Sequence, residues 1–397
     1  MLRNVTFRTF KSLKDVAVDL GLVNVFIGAN GSGKSNLLEA FGVLSAAADG
    51  KVDDQSLLVR GVRPGVPALY KSAFRRKPGE HIPPHLFFGA YGNGAKYEVT
   101  LHNPLADPAP AWRFKSEVWG DEEGGTYVSR APAQRVKSDP ERGLAAWKLV
   151  EVESGPGAEL LKRLQDYVIF TPTTSVLRSV ASEPQPRQPL GLSGGNLPEG
   201  LRGLFRQRRK DERSKQICQE ALGLIDWAKS YGYGPSHSLA LSPAAASSEF
   251  VVRFRDKFMQ EKKNMLSGYD VSEGALYVLF LAVIAGSART PKLCAVDNAD
   301  HGLNPRLART LMDHFCEWYL MAEGQRQVLL TTHNPLVLDG LPLQNKEVRL
   351  FTVSRTKSGS TRVRQVLVDD ELLAKGQQGW SLSRLWTMGH LGGMPNV

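Results

Sequence analysis

Eight residues, Gly28-Ala29-Asn30-Gly31-Ser32-Gly33-Lys34-Ser35, fill the pattern G-x-x-x-x-G-K-[ST] completely. That pattern is a phosphate cradle. Its glycines let successive backbone N–H groups turn toward an anion. In such a loop Lys34 reaches the β- and γ-phosphates of a nucleotide and Ser35 ligates Mg²⁺. Asn36 follows directly. A second group is Leu293-Cys294-Ala295-Val296-Asp297, an apolar run ending in a carboxylate. An acid so placed holds the nucleotide's Mg²⁺, directly or through water. Alone it says little; beside a phosphate loop it gains meaning. A third is Val328-Leu329-Leu330-Thr331-Thr332-His333. His333 there could hydrogen-bond a γ-phosphate or an attacking water, or simply cap a strand.

Such residues need strands and helices to hold them. Val5–Phe10 and Asp15–Leu20 alternate as half-buried strands do. Val23–Ile27 is a short β-branched run before the loop, and Lys34–Ala47 has helical periodicity. Strand, loop and helix in that order are the setting a phosphate loop requires. From Ser272 the pattern returns. Gly274–Ala285 reads as a helix apolar all round, and Arg306–Met321 as an amphipathic helix after Pro305. Leu293–Asp297, Val328–Thr332, Val348–Val353 and Arg362–Val368 read as strands.

Between these ends the character changes. Residues 50–165 are rich in Pro, Gly, Trp and Tyr, with β-like runs at His85–Tyr91, Tyr97–His102, Trp112–Val118 and Ala145–Val152. Residues 178–200 read as a loop, 199–230 as helical and 247–258 as a strand. The expected organisation is an α/β core from residues 1–50 and 265–397. It is split by a β-rich insertion (51–170) and a loop plus basic helical insertion (171–264).

Composition narrows the class. The chain has 397 residues, 42% hydrophobic and 23% charged, which excludes wholesale disorder. Its three cysteines are too scattered for a disulfide framework, and this fits a reducing, cytoplasmic setting. The N-terminus has no apolar signal-peptide region. The run Ala275–Ala285 is shorter than the roughly 20 residues that span a bilayer, so no membrane association is expected. His81, His85, His237, His314 and His390 show no metal-ligand spacing.

Taken together, GANGSGKSN (28–36), VSEG (271–274), LCAVDNADHGLNP (293–305) and TTHNP (331–335) resemble the ABC-type ATPases of the RecF, SMC and OLD group. In particular they resemble the stand-alone bacterial AAA family ATPases found in anti-phage defence operons. The opening FRTFKSLKDVAVDL (7–20) and the tail LSRLWTMGHLGGMPN (382–396) resemble them too. The resemblance implies an α/β P-loop ABC-type ATPase head that uses ATP and Mg²⁺. It implies a head-to-tail dimer with ATP at the interface. Gly28, Asn30, Gly31, Ser32, Gly33, Lys34, Ser35 and Asn36 of one subunit would cradle the ATP. Ser272, Glu273 and Gly274 of the other would cover it, by donation from a hydroxyl, a backbone N–H and a helix N-terminus. Ser35 and Asp297 would hold Mg²⁺, His333 would be the switch histidine, and Asn304-Pro305 would belong to the loop crossing the dimer.

Leu192-Ser193-Gly194-Gly195 also spells a transporter ATPase signature, but it lies in a Pro-rich loop about eighty residues before VSEG. GGNLPEGL (194–201) instead resembles the family's Gly-x-Asn-Leu loop. The family usually places Glu after the strand-end acid; here Asn298 stands there. Asn cannot accept a proton as a general base. Asp300 or His301 could substitute from the same loop; otherwise the enzyme is slow and stays clamped on ATP.

The net charge is +10, from 50 Lys and Arg against 40 Asp and Glu. Leu201–Lys215 carries seven cations and two acids, and Lys71–Lys77 and Arg253–Lys263 add more. Such clusters could contact duplex DNA or merely solvate a helix face. No acidic cluster of a nuclease domain is evident, so the effector is expected on a separately encoded partner. The readings are therefore a switch ATPase of a defence system, or a RecF-like DNA repair ATPase acting directly on DNA. No heptad run supports an SMC arm. A transporter role is disfavoured because Lys34 and Asp297 lie 297 − 34 = 263 residues apart.

Overall fold

The computed structural model describes residues 1–392 other than 64, 66, 75–80, 82, 104–110, 122, 124, 132–138, 153, 240 and 242–248. The basic segment Lys71–Lys77 therefore lies partly outside the described residues, at 75–77, and so do 247–248 of the expected strand and the tail at 393–396.

In chain order the elements begin with β1 (Asn4–Phe10), β2 (Leu13–Asp19), β3 (Val23–Ile27), α1 (Lys34–Ala48), α2 (Asp54–Leu58) and α3 (Pro67–Tyr70). A meander follows: β4 (His85–Gly92), β5 (Ala95–His102), β6 (Arg113–Asp121) and β7 (Gly125–Arg130). Next come α4 (Leu144–Lys148), α5 (Pro156–Gln165), β8 (Val168–Phe170), α6 (Thr174–Leu177), α7 (Leu197–Gln207) and α8 (Glu212–Gly223). Then β9 (Ala228–Pro235), β10 (Phe250–Asp256), β11 (Met265–Ser267) and α9 (Glu273–Gly286). The chain closes with β12 (Leu293–Val296), α10 (Pro305–Leu320), β13 (Gln327–Thr332), β14 (Val348–Arg355), β15 (Thr361–Val366), α11 (Asp370–Gln377) and α12 (Leu382–Thr387).

The central sheet runs β15-β14-β3-β13-β12-β8. Every neighbouring pair is parallel except β14 and β15. β3, β8, β12 and β13 are buried along their whole length because both faces are covered, whereas the edge strand β15 is largely polar. Val23, Val25 and Ile27 point into one apolar cluster with Cys294, Val296, Val328 and Leu330. Phe26, Leu293, Ala295 and Leu329 point into the other. The first cluster is roofed by α7, α8, α9 and α10, and α9 is buried along nearly its whole length. The second is closed by α1 and the antiparallel sheet β2-β1-β4-β5-β6-β7. A small antiparallel sheet, β11-β10-β9, sits beside α7. This is the expected mixed α/β architecture, with a mostly parallel central sheet covered on both faces.

The sheets cut across the expected segments. The hairpin β1-β2 shares its sheet with the meander of the β-rich segment, while β8, from the end of that segment, is an edge strand of the central sheet. One local expectation fails. Ala145–Val152 is no strand; α4 occupies its first half and turns follow. The buried Glu117 accepts the backbone N–H of Leu144 (2.6 Å) and Ala145 (3.3 Å), so a carboxylate on β6 anchors a helix N-terminus there. The stretch 199–230 is broken by turns between α7 and α8 and gives way to β9 at Ala228.

Candidate functional site

Three of the sequence motifs, the phosphate loop, Asp297 and His333, converge at the C-terminal ends of β3, β12 and β13, adjacent parallel strands. Gly33 has φ 109°, and a Cβ there would collide with the Thr361 hydroxyl. Only glycine allows both the turn and that approach. Lys34 is 5% exposed. Its ammonium donates to the carbonyls of Gly28 (2.7 Å) and Ala29 (3.1 Å) and lies 3.3 Å from His333 Nδ1. Burial lowers its pKa to about 8, against the opposing charges of Asp297 and Asp300. Burial and the Lys34 charge likewise push the His333 pKa down. A neutral His333 is the form that accepts from Lys34.

Ser35 Oγ donates to Asp297 Oδ2 at 3.1 Å, and Thr331 Oγ1 donates to Asp297 Oδ1. Thr331 Oγ1 also accepts from Asn298 N at 2.9 Å. The β13 threonine therefore fixes both the strand-end carboxylate and the backbone of the residue after it. Asn298 has φ 56°. Asn tolerates this left-handed conformation far better than Glu does. Asp300 Oδ1 is buried without a partner.

Three supporting residues, Ser12, Arg355 and Thr361, were not singled out from sequence. Asn36 Nδ2 and Thr361 Oγ1 both donate to Ser12 Oγ, each at 2.7 Å. Thr361 also reaches the Ser32 carbonyl (2.8 Å) in a branched donation, and Arg355 Nε donates to the Gly31 carbonyl at 2.8 Å. The β1-β2 turn and the β14-β15 hairpin thus brace the loop from two sides. No single-residue pattern announces a Ser, Arg or Thr in that role.

Mg²⁺ and a triphosphate fit this donor set. Ser32 Oγ is buried inside the loop with no partner, Asn30 and Gly31 are exposed, and a Cβ on Gly31 would meet nothing within 4 Å. Ser35 Oγ and Asp297 Oδ2 lie 3.1 Å apart, close to the spacing of two neighbouring oxygen ligands on one octahedral hard cation.

Ser272, Glu273 and Gly274 lie elsewhere. Ser272 is the N-cap of α9, but its hydroxyl caps nothing. Ser272 and Gly274 line an open cleft of about 580 Å³ with Asn304, Arg306 and Leu307, and no phosphate-loop residue borders it. Glu273 Oε1 accepts from Thr174 Oγ1 and lies 3.2 Å from His301 Nε2. Asn304 caps α10 by accepting from Leu307 N at 2.9 Å. The Leu192–Gly195 run is used internally: the amides of Ser193 and Gly195 donate to Glu183 at 3.1 and 2.8 Å.

Of the basic segment, Arg213 donates to the carbonyls of Ala285 and Trp318 and is structural. Arg208 and Phe205 join Arg253, Arg255, Tyr231 and Tyr233 around a second cleft of about 560 Å³.

Fold and site are those of an α/β head with a phosphate loop at the end of its central sheet. Comparison with known proteins agrees. Residues 1–63 match the family model described as an AAA ATPase domain. Residues 205–339 match the model described as "AAA domain, putative AbiEii toxin, Type IV TA system". The chain is similar to the SMC head crystallised with the C-winged helix domain of ScpA, at 12% identity and TM-score 0.53, covering 94% of this chain and 99% of that one. It is also similar to the Smc head domain with an extended coiled coil from Pyrococcus furiosus, bound to the C-terminal domain of ScpA. There the identity is 11% and the TM-score 0.51, over 96% and 99% of the two chains. These likenesses concern the fold. No curated protein matches the chain. Among the described residues no helix is long and apolar enough to cross a membrane.

Proposed function

We propose that this chain is an ATP-binding, slowly hydrolysing switch ATPase of a bacterial defence system. It dimerises head to tail on ATP and controls a separately encoded effector, with nucleic acid as a further contact. The observation that carries the reading is the convergence of Lys34, Ser35, Asp297 and His333 at one sheet end. When bound, MgATP supplies the reactive γ-phosphoryl group. Lys34 neutralises the phosphates, and Ser35 and Asp297 hold Mg²⁺. His333, held neutral beside Lys34, senses the γ-phosphate. Asn298 leaves the water without its usual carboxylate base, and Asp300 or His301 substitutes from the same loop. That Ser272 lines an open cleft, apart from its own phosphate loop, supports its use in trans. The cations around the second cleft support contact with phosphates of duplex DNA, which salt would weaken.

The test is phosphate release and molar mass, with MgATP, with and without duplex DNA. The expected result is slow release and a mass that doubles with ATP, both lost in Lys34→Ala. Ser272→Arg should keep ATP binding and lose the dimer. A monomer in all nucleotide states would overturn the switch reading.

A further inference from the structure

The helices α8 and α10 bring together three side chains that the ATP site does not use. Ligand atoms of Glu220, His314 and Glu317 all lie within 4.8 Å of one another. His314 Nδ1 is 3.3 Å from Glu220 Oε2 and 3.9 Å from Glu317 Oε2. In a tetrahedral site with bonds of about 2.1 Å, neighbouring ligand atoms stand roughly 3.4 Å apart. The spacing therefore fits a shared cation.

Three further observations point the same way. His314 Nδ1 is buried and makes no hydrogen bond. Among the described residues, neither carboxylate pairs with a lysine or arginine. Glu220 is also braced from outside: Gln216 Nε2 donates to Oε1 at 2.8 Å and Trp318 Nε1 donates to Oε2. Metal-ligating carboxylates are oriented by such outer donors. His314 and Glu317 are one helical turn apart, but Glu220 comes from another helix, so sequence spacing alone concealed the set.

We propose that Glu220, His314 and Glu317 form a binding site for a zinc-class divalent cation, with water in the fourth position. One imidazole and two carboxylates suit Zn²⁺ better than Mg²⁺, which prefers all-oxygen octahedral surroundings. The bound ion ties α8 to α10, the helix that follows the Asp297–Asn304 loop. This site is independent of the nucleotide reading.

The test is zinc titration of chelator-treated full-length protein by calorimetry, with thermal unfolding in parallel. The wild type should take up one more equivalent than His314→Ala and Glu317→Gln, and its midpoint should rise with Zn²⁺ where theirs does not. Glu317 is exposed, so its variant stays folded even where removal of the His314 ring disturbs the Trp318 packing. Asp297→Asn separates the two sites, and its zinc uptake at this site should be unchanged. Equal uptake by wild type, His314→Ala and Glu317→Gln would overturn the proposal, as would loss of all uptake in Asp297→Asn alone. Saturation with Mg²⁺ but not Zn²⁺ would overturn it too.

Discussion

Ser35 Oγ and Asp297 Oδ2 meet at 3.1 Å although 262 residues separate them. Closing so long a loop is costly in chain entropy, yet the cost grows only slowly with length. The central sheet makes it affordable. β3 and β12 flank β13 in parallel register, so the ends that carry Ser35 and Asp297 emerge side by side. β8, from the stretch between them, returns to the edge of the same sheet.

Lys34 is the first residue to remove. In Lys34→Ala the carbonyls of Gly28 and Ala29 lose a donor that water can replace at the open loop, so the fold should survive. The triphosphate would lose its principal cation. Loss of one such preorganised donor typically costs on the order of 100-fold or more in rate. Phosphate release should fall to background and nucleotide binding should weaken, with an unchanged circular dichroism spectrum. Release equal to wild type would remove Lys34 from the site.

Asn298 invites the opposite experiment. Asn298→Glu places a carboxylate where the water would be polarised and should raise turnover. It also puts Glu at φ 56°, a strain of roughly 1–2 kcal/mol. The variant should therefore be faster and less heat-stable. Asn298→Gly, which relieves the backbone without adding a base, should be no faster. Unchanged turnover in Asn298→Glu would count against the assignment of this position.

Much of this site was legible in sequence because its parts are contiguous. The loop Gly28–Ser35 and the strand-end residues Asp297 and His333 each sit in a run that names its own local structure. Bracing by Ser12, Arg355 and Thr361 was not legible, because each bond crosses between strands that only the fold brings together. Ala145–Val152 was misread for a related reason. Its composition favours a strand about as well as a helix, and a carboxylate from β6 decides. The β-like runs His85–Tyr91 and Tyr97–His102, by contrast, form the antiparallel pair β4-β5.

His102 should mark the acid side of the stability profile. Burial, together with the charges of Lys71, His85, Lys115 and Arg113, lowers its pKa from 6.5 to about 4. Between those values the unfolded chain holds a proton that the folded chain lacks. Stability therefore rises with pH across this window and is lost as pH falls through it. Denaturant midpoints measured from pH 7 to pH 4 should decline less steeply in His102→Gln than in wild type. Parallel profiles would show that His102 is protonated equally in both states.

Glu117 carries the last prediction, on stability alone. It is fully buried, yet it accepts from Tyr97 Oη at 3.1 Å and from the first two amides of α4. Burial raises its pKa, while those three donors and Arg130 pull the other way. Glu117→Ala would leave a phenol and two helix N–H groups without an acceptor, and each costs about 1–3 kcal/mol when buried. Glu117→Gln keeps one acceptor oxygen and should recover part of the loss. The urea midpoint should fall most in Glu117→Ala, less in Glu117→Gln, and the ATP site should still bind nucleotide in both while folded. Equal midpoints for Glu117→Ala and wild type would mean that water replaces the carboxylate there.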